Sequence, residues 1–417
     1  MRIRAGLPIV FFVIILASHP SFASDLALVH AKIYTSPTEP PIEDSTVLIH
    51  DGSITTVGPS AKIKLPFFAR AVTVINCQGM VVTAGFWNNH VHILTKDLLH
   101  AENLASTELS SQLEQMFTRW GFTTVFDIAS LLDNTNTIRR RIASGEVRGP
   151  RILTVGEPFY AKGGTPVYIR GFLNENHISL PEAQSVPQAV QRVDQQIRDG
   201  ADGIKIFAGS IEHGGVLIMP MDLATAIVAE AHRAGKPVFA HPSNTEGINV
   251  SLKSGVDILA HAAPMSGPWT PDLVQRIKAA NMALIPTLTL FEVEAKKFGE
   301  SPEDAANDMR YASQQLKSYS DAGGQILFGT DVGYTDYFDT AEEFKLMSQA
   351  GLSFRQILAS LTTNPATRFG YSAHSGRIAK DMDADLVVLS SDPAQDITAF
   401  SRVNFTIRLG KIIFGGP

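Results

Sequence analysis

Two hydrophobic patterns share this chain. Near both ends, apolar and polar positions alternate over short runs broken by Pro and Asp-Gly. Ala27–Tyr34, Ser45–Ile49, Ser53–Gly58 and Val72–Asn76 read as strands, with His50-Asp51-Gly52-Ser53 as a hairpin turn. Asp385–Ser390 and Val403–Phe414 read the same way, with a turn at Gly410-Lys411. Between these ends, from Val82 to Gly370, strand-like runs are apolar at nearly every position. They alternate with amphipathic helical stretches such as Met221–Ala234 and Ser353–Leu361.

The runs are Val81–Phe86, Thr123–Ile128, Ile152–Val155, Gly203–Phe207, Pro237–Ala240, Asp257–Ala260, Ala283–Pro286 and Ile326–Gly329. Strands apolar on both faces are what a parallel sheet covered by helices requires. Eight strand–helix units predict an α/β fold, a (β/α)8 TIM barrel over residues 83–365. Residues 24–82 and 366–417 are expected to form one small β-sandwich domain from both termini. A doubly wound sheet is the alternative, but no Gly-rich dinucleotide fingerprint follows any strand.

Composition narrows the classes. At 44% hydrophobic and 18% charged, the 417 residues can fill a large core, which excludes whole-chain disorder. A net charge of −6 gives nucleic acid no electrostatic purchase. The single cysteine, Cys77, excludes an internal disulfide and a Cys-cluster metal site. Arg2 and Arg4, the apolar run Leu7–Ala17 and Ser21-Phe22-Ala23 read as a signal peptide, residues 1–23, cut after Ala23. The expected compartment is periplasmic or secreted, with no stable membrane anchor after cleavage.

Polar residues stand at the C-terminal ends of the apolar runs. His90 and His92 follow the first, Lys205 lies in the fourth, and His241 and His261 close the fifth and sixth. Asp331 closes the eighth. In a barrel those ends share one mouth. His-X-His on a strand turns both imidazoles to one face, and imidazoles plus a carboxylate suit zinc, less specifically manganese or iron. A lysine inside Ile204-Lys205-Ile206-Phe207 is costly to bury without a partner.

This constellation resembles the amidohydrolase superfamily, and the segments Gly203–Phe207, Val238–Pro242 and Ile258–Pro264 resemble its prolidase and imidazolonepropionase-like branch. Asn364-Pro365-Ala366 and Ala384–Val388 are similar to the family's return from barrel to sandwich. The resemblance implies two divalent ions, expected to be Zn, held by His90, His92, Lys205, His241, His261 and Asp331. Lys205 would bridge them as a carbamate. A hydroxide between the metals would be the nucleophile, and Asp331 would pass its proton to the leaving amine. One departure stands out: the family motif has Asp two residues before the first His, where this chain has Asn88.

The implied reaction is hydrolysis of an amide in a small substrate such as a dipeptide or N-acyl amino acid. The alternatives are a lactone, a cyclic imide or imidazolone, or an organophosphate ester. A mononuclear deaminase would need a Glu three residues after the fifth-strand His, where Asn244 stands. A non-catalytic binding protein would have lost ligands. Specificity is expected from mouth loops holding Tyr160, Lys162 and Tyr168, Glu212 and His213, and Tyr334 and Tyr337. His213 and Tyr168 are candidates to bond the developing oxyanion or a substrate carboxylate. Arg170 is a candidate carboxylate clamp. His50, His100, His177, His232 and His374 read as structural or solvated. Homo-oligomerisation is left open.

Overall fold

Period-two alternation at the two ends builds one eight-stranded sheet. The structure, a computed structural model, describes residues 25–65 and 72–416. The expected leader, residues 1–23, lies outside them. In sheet order the strands are Lys411–Phe414, Val403–Arg408, Leu386–Leu389, Val81–Ala84, Asp25–Ile33, Ile42–His50 and Ser53–Pro59; Val72–Asn76 also pairs with Asp25–Ile33. The expected hairpin is present: His50 pairs with Ser53, and Asp51 and Gly52 have φ of 47° and 77°. Two positive φ values are what a tight turn between twisted strands needs. The second turn falls at Leu409-Gly410, one residue before the expected Gly410-Lys411, because Arg408 and Lys411 are themselves paired.

Among the described residues, the strands from both termini form one continuous sheet. Its strands Val81–Ala84 and Leu386–Leu389 are buried on both faces. Val82, Ala84, Leu386 and Val388 pack into the terminal core with Leu28, Val47 and Ile407. Val81, Val387 and Leu389 face the opposite way, into the main core. The sheet therefore divides two hydrophobic cores.

The run Val81–Phe86 is not a single central strand. It breaks at Gly85, where any side chain would run into Thr123. The chain leaves the terminal sheet there and starts the first central strand, Phe86–Val91. Six of the other expected runs hold central parallel strands, which with Phe86–Val91 make seven in two groups. Phe86–Val91, Phe122–Asp127 and Arg151–Thr154 form a sheet of three; Ile204–Phe207, Val238–His241, Ile258–Leu259 and Ala283–Leu284 form a sheet of four. The eighth run, Ile326–Gly329, is not a regular strand. It is held by backbone bonds to its neighbours instead: Leu327 N–H donates to Leu284 O at 2.9 Å, and Asn89 N–H to Phe328 O at 2.8 Å. Between the sheets, Phe159 is wedged beside Lys205 and Ile206.

Alternate residues on these strands point to different cores. Val125, Ile152, Ile204, Val238, Leu259, Leu284 and Phe328 pack with helix residues such as Ile227, Leu316 and Phe344. Phe126, Leu153, Phe239, Ile258, Ala283 and Leu327 gather with Trp87 in an inner cluster. Each such Val, Leu, Ile or Phe side chain contributes about 1.5–3 kcal/mol by leaving water. The helices start where their sequence signals stand. Met221–Arg233 buries Leu223, Ile227 and Val228. Phe354–Leu361 opens on a Ser353/Gln356 capping box, a feature worth about 1 kcal/mol. Among the described residues, no helix is long and apolar enough to cross a membrane. Cys77 is free and buried.

Candidate metal centre

The strand Phe86–Val91 carries His90 within it, rather than after it as expected, and His92 follows by one residue. His90 Nε2 lies 3.1 Å and His92 Nε2 2.8 Å from Asp331 Oδ1. The other ring nitrogens are anchored. His90 Nδ1 lies 2.6 Å from Ala260 O, His92 Nδ1 3.0 Å from Ala129 O, and His261 Nδ1 2.9 Å from Thr287 Oγ1. A carbonyl can only accept, so His90 and His92 donate from Nδ1 and turn an Nε2 lone pair to the site.

The remaining candidates adjoin this trio. The His261 ring is 4.3 Å from that of His90 and 4.7 Å from that of His241. His241 closes its strand and stacks on Phe207 at 4.7 Å. Lys205 Nζ lies 5.6 Å from the same Phe207 ring. All six line one cavity of about 950 Å³. The structure thus brings together His90, His92, Lys205, His241, His261 and Asp331.

Burial sets the protonation. It drives His90 down to about 4, and His241 and His261 well below the ordinary imidazole range. Burial alone would raise Asp331, but the imidazoles of His90 and His92 outweigh it and hold the carboxyl well below its usual range. Lys205 is lowered to about 7 by burial, against the pull of Asp331. The result is neutral imidazoles at His90, His241 and His261, an ionised carboxylate and a readily deprotonated amine.

This donor set fits a divalent cation. Ligand atoms of His90, His92 and Asp331 lie within 4.8 Å of one another. His90 Nε2 and Asp331 Oδ1 are buried, yet neither has a well-formed hydrogen bond among the described residues. Such lone pairs, turned inward and left over, are what a cation takes up.

Two supporting residues deserve a place beside the six. Asn88, where the family motif has Asp, accepts from His90 N–H at 3.2 Å and donates to Thr330 Oγ1 at 2.8 Å. It ties the first strand to the Asp331 segment. Asp127 was not singled out by sequence. Fully buried, it accepts from Ile93 N–H at 3.1 Å and from the hydroxyls of Ser130, Thr135 and Thr154. It fixes the turn just beyond His92. Its signal was the one that revealed Lys205: an ionisable residue inside an apolar run.

The loop candidates separate. Tyr168, at the start of the helix Val167–Glu175, lines the cavity and meets Tyr334 edge-on at 5.3 Å. Burial raises its phenol well above the usual range, so it keeps its proton. His213 is exposed at the tip of the hairpin Gly209–Glu212/Gly215–Ile218, on the cavity rim. Arg170 is not a free clamp: its Nη2 lies 2.7 and 2.6 Å from the two oxygens of Glu212. Tyr160 packs with Leu173, Leu180 and Phe207, whereas Lys162 and Tyr337 are exposed. His50 and His232 pair with Asp25 and Asp257 at the surface, and His100, His177 and His374 are exposed.

The comparisons with known proteins place the chain among hydrolases that act on carbon–nitrogen bonds. Residues 81–413 match the Amidohydrolase family, and the chain belongs to it. Ochratoxinase from Aspergillus niger is 23% identical over 434 residues, which cover 94% of this chain and 87% of that protein. A Xaa-Pro dipeptidase with methionine in its active site superposes with a TM-score of 0.79 at 22% identity, over 94% of this chain and 100% of its own. A prolidase complexed with N-methylphosphonate-L-proline gives 0.76 at 22% identity, over 94% and 100%. At these identities the solved structures establish a shared fold.

Proposed function

We propose that this chain is an exported, metal-dependent amidohydrolase that cleaves an amide bond in a small substrate such as a dipeptide or N-acyl amino acid. The observation that carries the reading is the convergence of six side chains on one cavity, with His90 Nε2 and Asp331 Oδ1 buried and left over. We read the two parallel sheets as parts of one (β/α)8 barrel. The shared inner cluster and the backbone bonds through Phe159 and Leu327 support that closure. The charged start, short apolar run and Ser21-Phe22-Ala23 support export.

His90, His92 and Asp331 would hold one divalent ion, and His241 and His261 a second. Bound there, the ions would polarise the scissile carbonyl and lower the pKa of water. Lys205, as a neutral amine, could add carbon dioxide with loss of one proton, and the resulting carbamate would offer oxygen ligands to bound metal. Asp331 takes a proton at its carboxylate and returns it to the leaving nitrogen. Tyr168 offers its O–H to the oxyanion.

The test is zinc reconstitution in bicarbonate followed by a panel of dipeptides, N-acyl amino acids and lactones. The reading predicts turnover of amides that a chelator abolishes. Lactone turnover without amide turnover would overturn it.

A further inference from the structure

The wall of the cavity is mostly apolar, with Asp97, Glu300, Asp308 and Asp336 among its lining besides Asp331, and Glu294 set on one helix face within it. The helix Leu288–Phe298 turns Leu290, Phe291, Glu294 and Phe298 to the cavity, at the three- and four-residue spacing of a single helix face, with Lys297 also on the lining. Ile169 and Phe172 of the helix Val167–Glu175 also line it. Glu294 therefore sits in the middle of an apolar stripe. Among the described residues, its side-chain hydrogen bond comes from Tyr334 O–H, at 2.9 Å. Among the described residues, no lysine or arginine nitrogen comes within 4.0 Å of it to form an ion pair. Lys297, one turn on, instead lies 4.5 Å from the Tyr334 ring.

A carboxylate in such a wall is costly unless something pairs with it. Its desolvation is visible: burial pushes the Glu294 carboxyl up to about 7, with Asp331 and Glu300 adding to the rise and the Tyr334 hydroxyl and Lys297 opposing it. The arginine that sequence suggested for a substrate carboxylate, Arg170, is neutralised by Glu212. The cavity thus offers a desolvated carboxyl within apolar surface, with Lys297 on the lining but not within ion-pair distance of it, and no free arginine at Arg170.

We propose that Glu294 binds the free ammonium group of the substrate while the surrounding apolar wall takes its side chain. The substrate class is then amides of hydrophobic amino acids with an unblocked amino group, rather than N-acyl amino acids. This rests on the amide-hydrolase reading above and narrows it. Glu294 acts in binding, through a charge-assisted hydrogen bond from the ammonium.

The test uses two probes of equal shape on the zinc-loaded protein, 2-phenylethylamine and 2-phenylethanol, with calorimetric dissociation constants. The amine should bind about tenfold or more tightly than the alcohol. Glu294→Gln, which keeps the shape and removes the charge, should erase that advantage and leave the alcohol unchanged. Tyr334→Phe should preserve it. A parallel assay compares phenylalanine amide with N-acetylphenylalanine amide; kcat/KM should favour the free amine in the parent and not in Glu294→Gln. Equal binding of amine and alcohol in the parent overturns the proposal, as does an advantage that survives in Glu294→Gln, since the amine would then be held by the metal. If the binding difference holds but neither amide is cleaved, the amide-hydrolase reading fails and the ammonium site stands.

Discussion

Phe239 and His241 lie two residues apart on the same strand and the same face, yet they belong to different kinds of structure. Phe239 meets the rings of Phe126 at 4.8 Å and Phe369 at 6.0 Å, in the inner cluster with Trp87 and Ile258. Its contacts are complete within the chain. His241, one level up, faces the cavity beside His261 and Lys205, each desolvated by burial. The lower level holds the strands together. The upper level pays in stability for groups that are satisfied only by something bound. Substitutions at the two levels should therefore fail in opposite ways.

The largest effect is expected above. Asp331→Asn should lower kcat by about 10²–10⁴-fold through loss of the proton carrier, while the metal-free protein unfolds at an unchanged or higher temperature. Steady-state kinetics and thermal denaturation read the two halves. A marked loss of metal-free stability would erase the contrast. Below, Phe239→Ala should destabilise by about 3–5 kcal/mol in urea titrations, because its ring neighbours cannot close the space. A variant as stable as the parent would break the comparison from that side.

Zinc sharpens it further. At a concentration about a hundredfold above its dissociation constant, the ion should add about 2.7 kcal/mol for each site filled, and nothing in a protein without the donor set. His241→Ala should reduce that gain, and Phe239→Leu should not. Denaturation at several zinc concentrations decides.

The smallest effect lies in the support of the cavity wall. Glu343 accepts from Leu288 N–H at 2.9 Å and from Thr289 N–H at 2.7 Å, at the start of the helix that carries Glu294. Burial raises its carboxyl from 4.5 to about 7. The folded chain then holds a proton that the unfolded chain has released. Its contribution is fully present below pH 4.5 and fades as the pH rises through about 7. Glu343→Gln should flatten the stability profile across that window, as read by urea midpoints. An unchanged slope would show that Glu343 titrates normally.

The upper level was the more legible of the two in the sequence. A histidine, lysine or aspartate ending an otherwise apolar run conflicts with burial, and that conflict marks a site. Lys205 and His241 were visible for this reason, and Asp127 carried the same signal. Glu294 was hidden because a glutamate in Glu292-Val293-Glu294-Ala295-Lys296 looks like any solvated helix face. Arg170 looked free because its partner, Glu212, sits on a hairpin whose position depends on tertiary packing. The strand break at Gly85 was hidden because Val81–Ala84 is covered on both faces and reads as one apolar run with Phe86. The eighth run kept its place while losing regular strand structure, a matter of neighbouring backbone rather than of its own residues.

The central claim is that the upper level is a ligand set with Lys205 at its centre. The direct measurement is the divalent metal content of the parent and of Lys205→Ala, after reconstitution with zinc and bicarbonate and removal of excess metal, alongside rates on the best amide substrate. The account predicts about two ions per chain in the parent, and loss of metal together with activity in the variant, since an alanine offers no bridging oxygen. A parent that retains no metal, or a Lys205→Ala protein with full metal content and parental rates, would contradict it and leave Lys205 as a buried structural lysine.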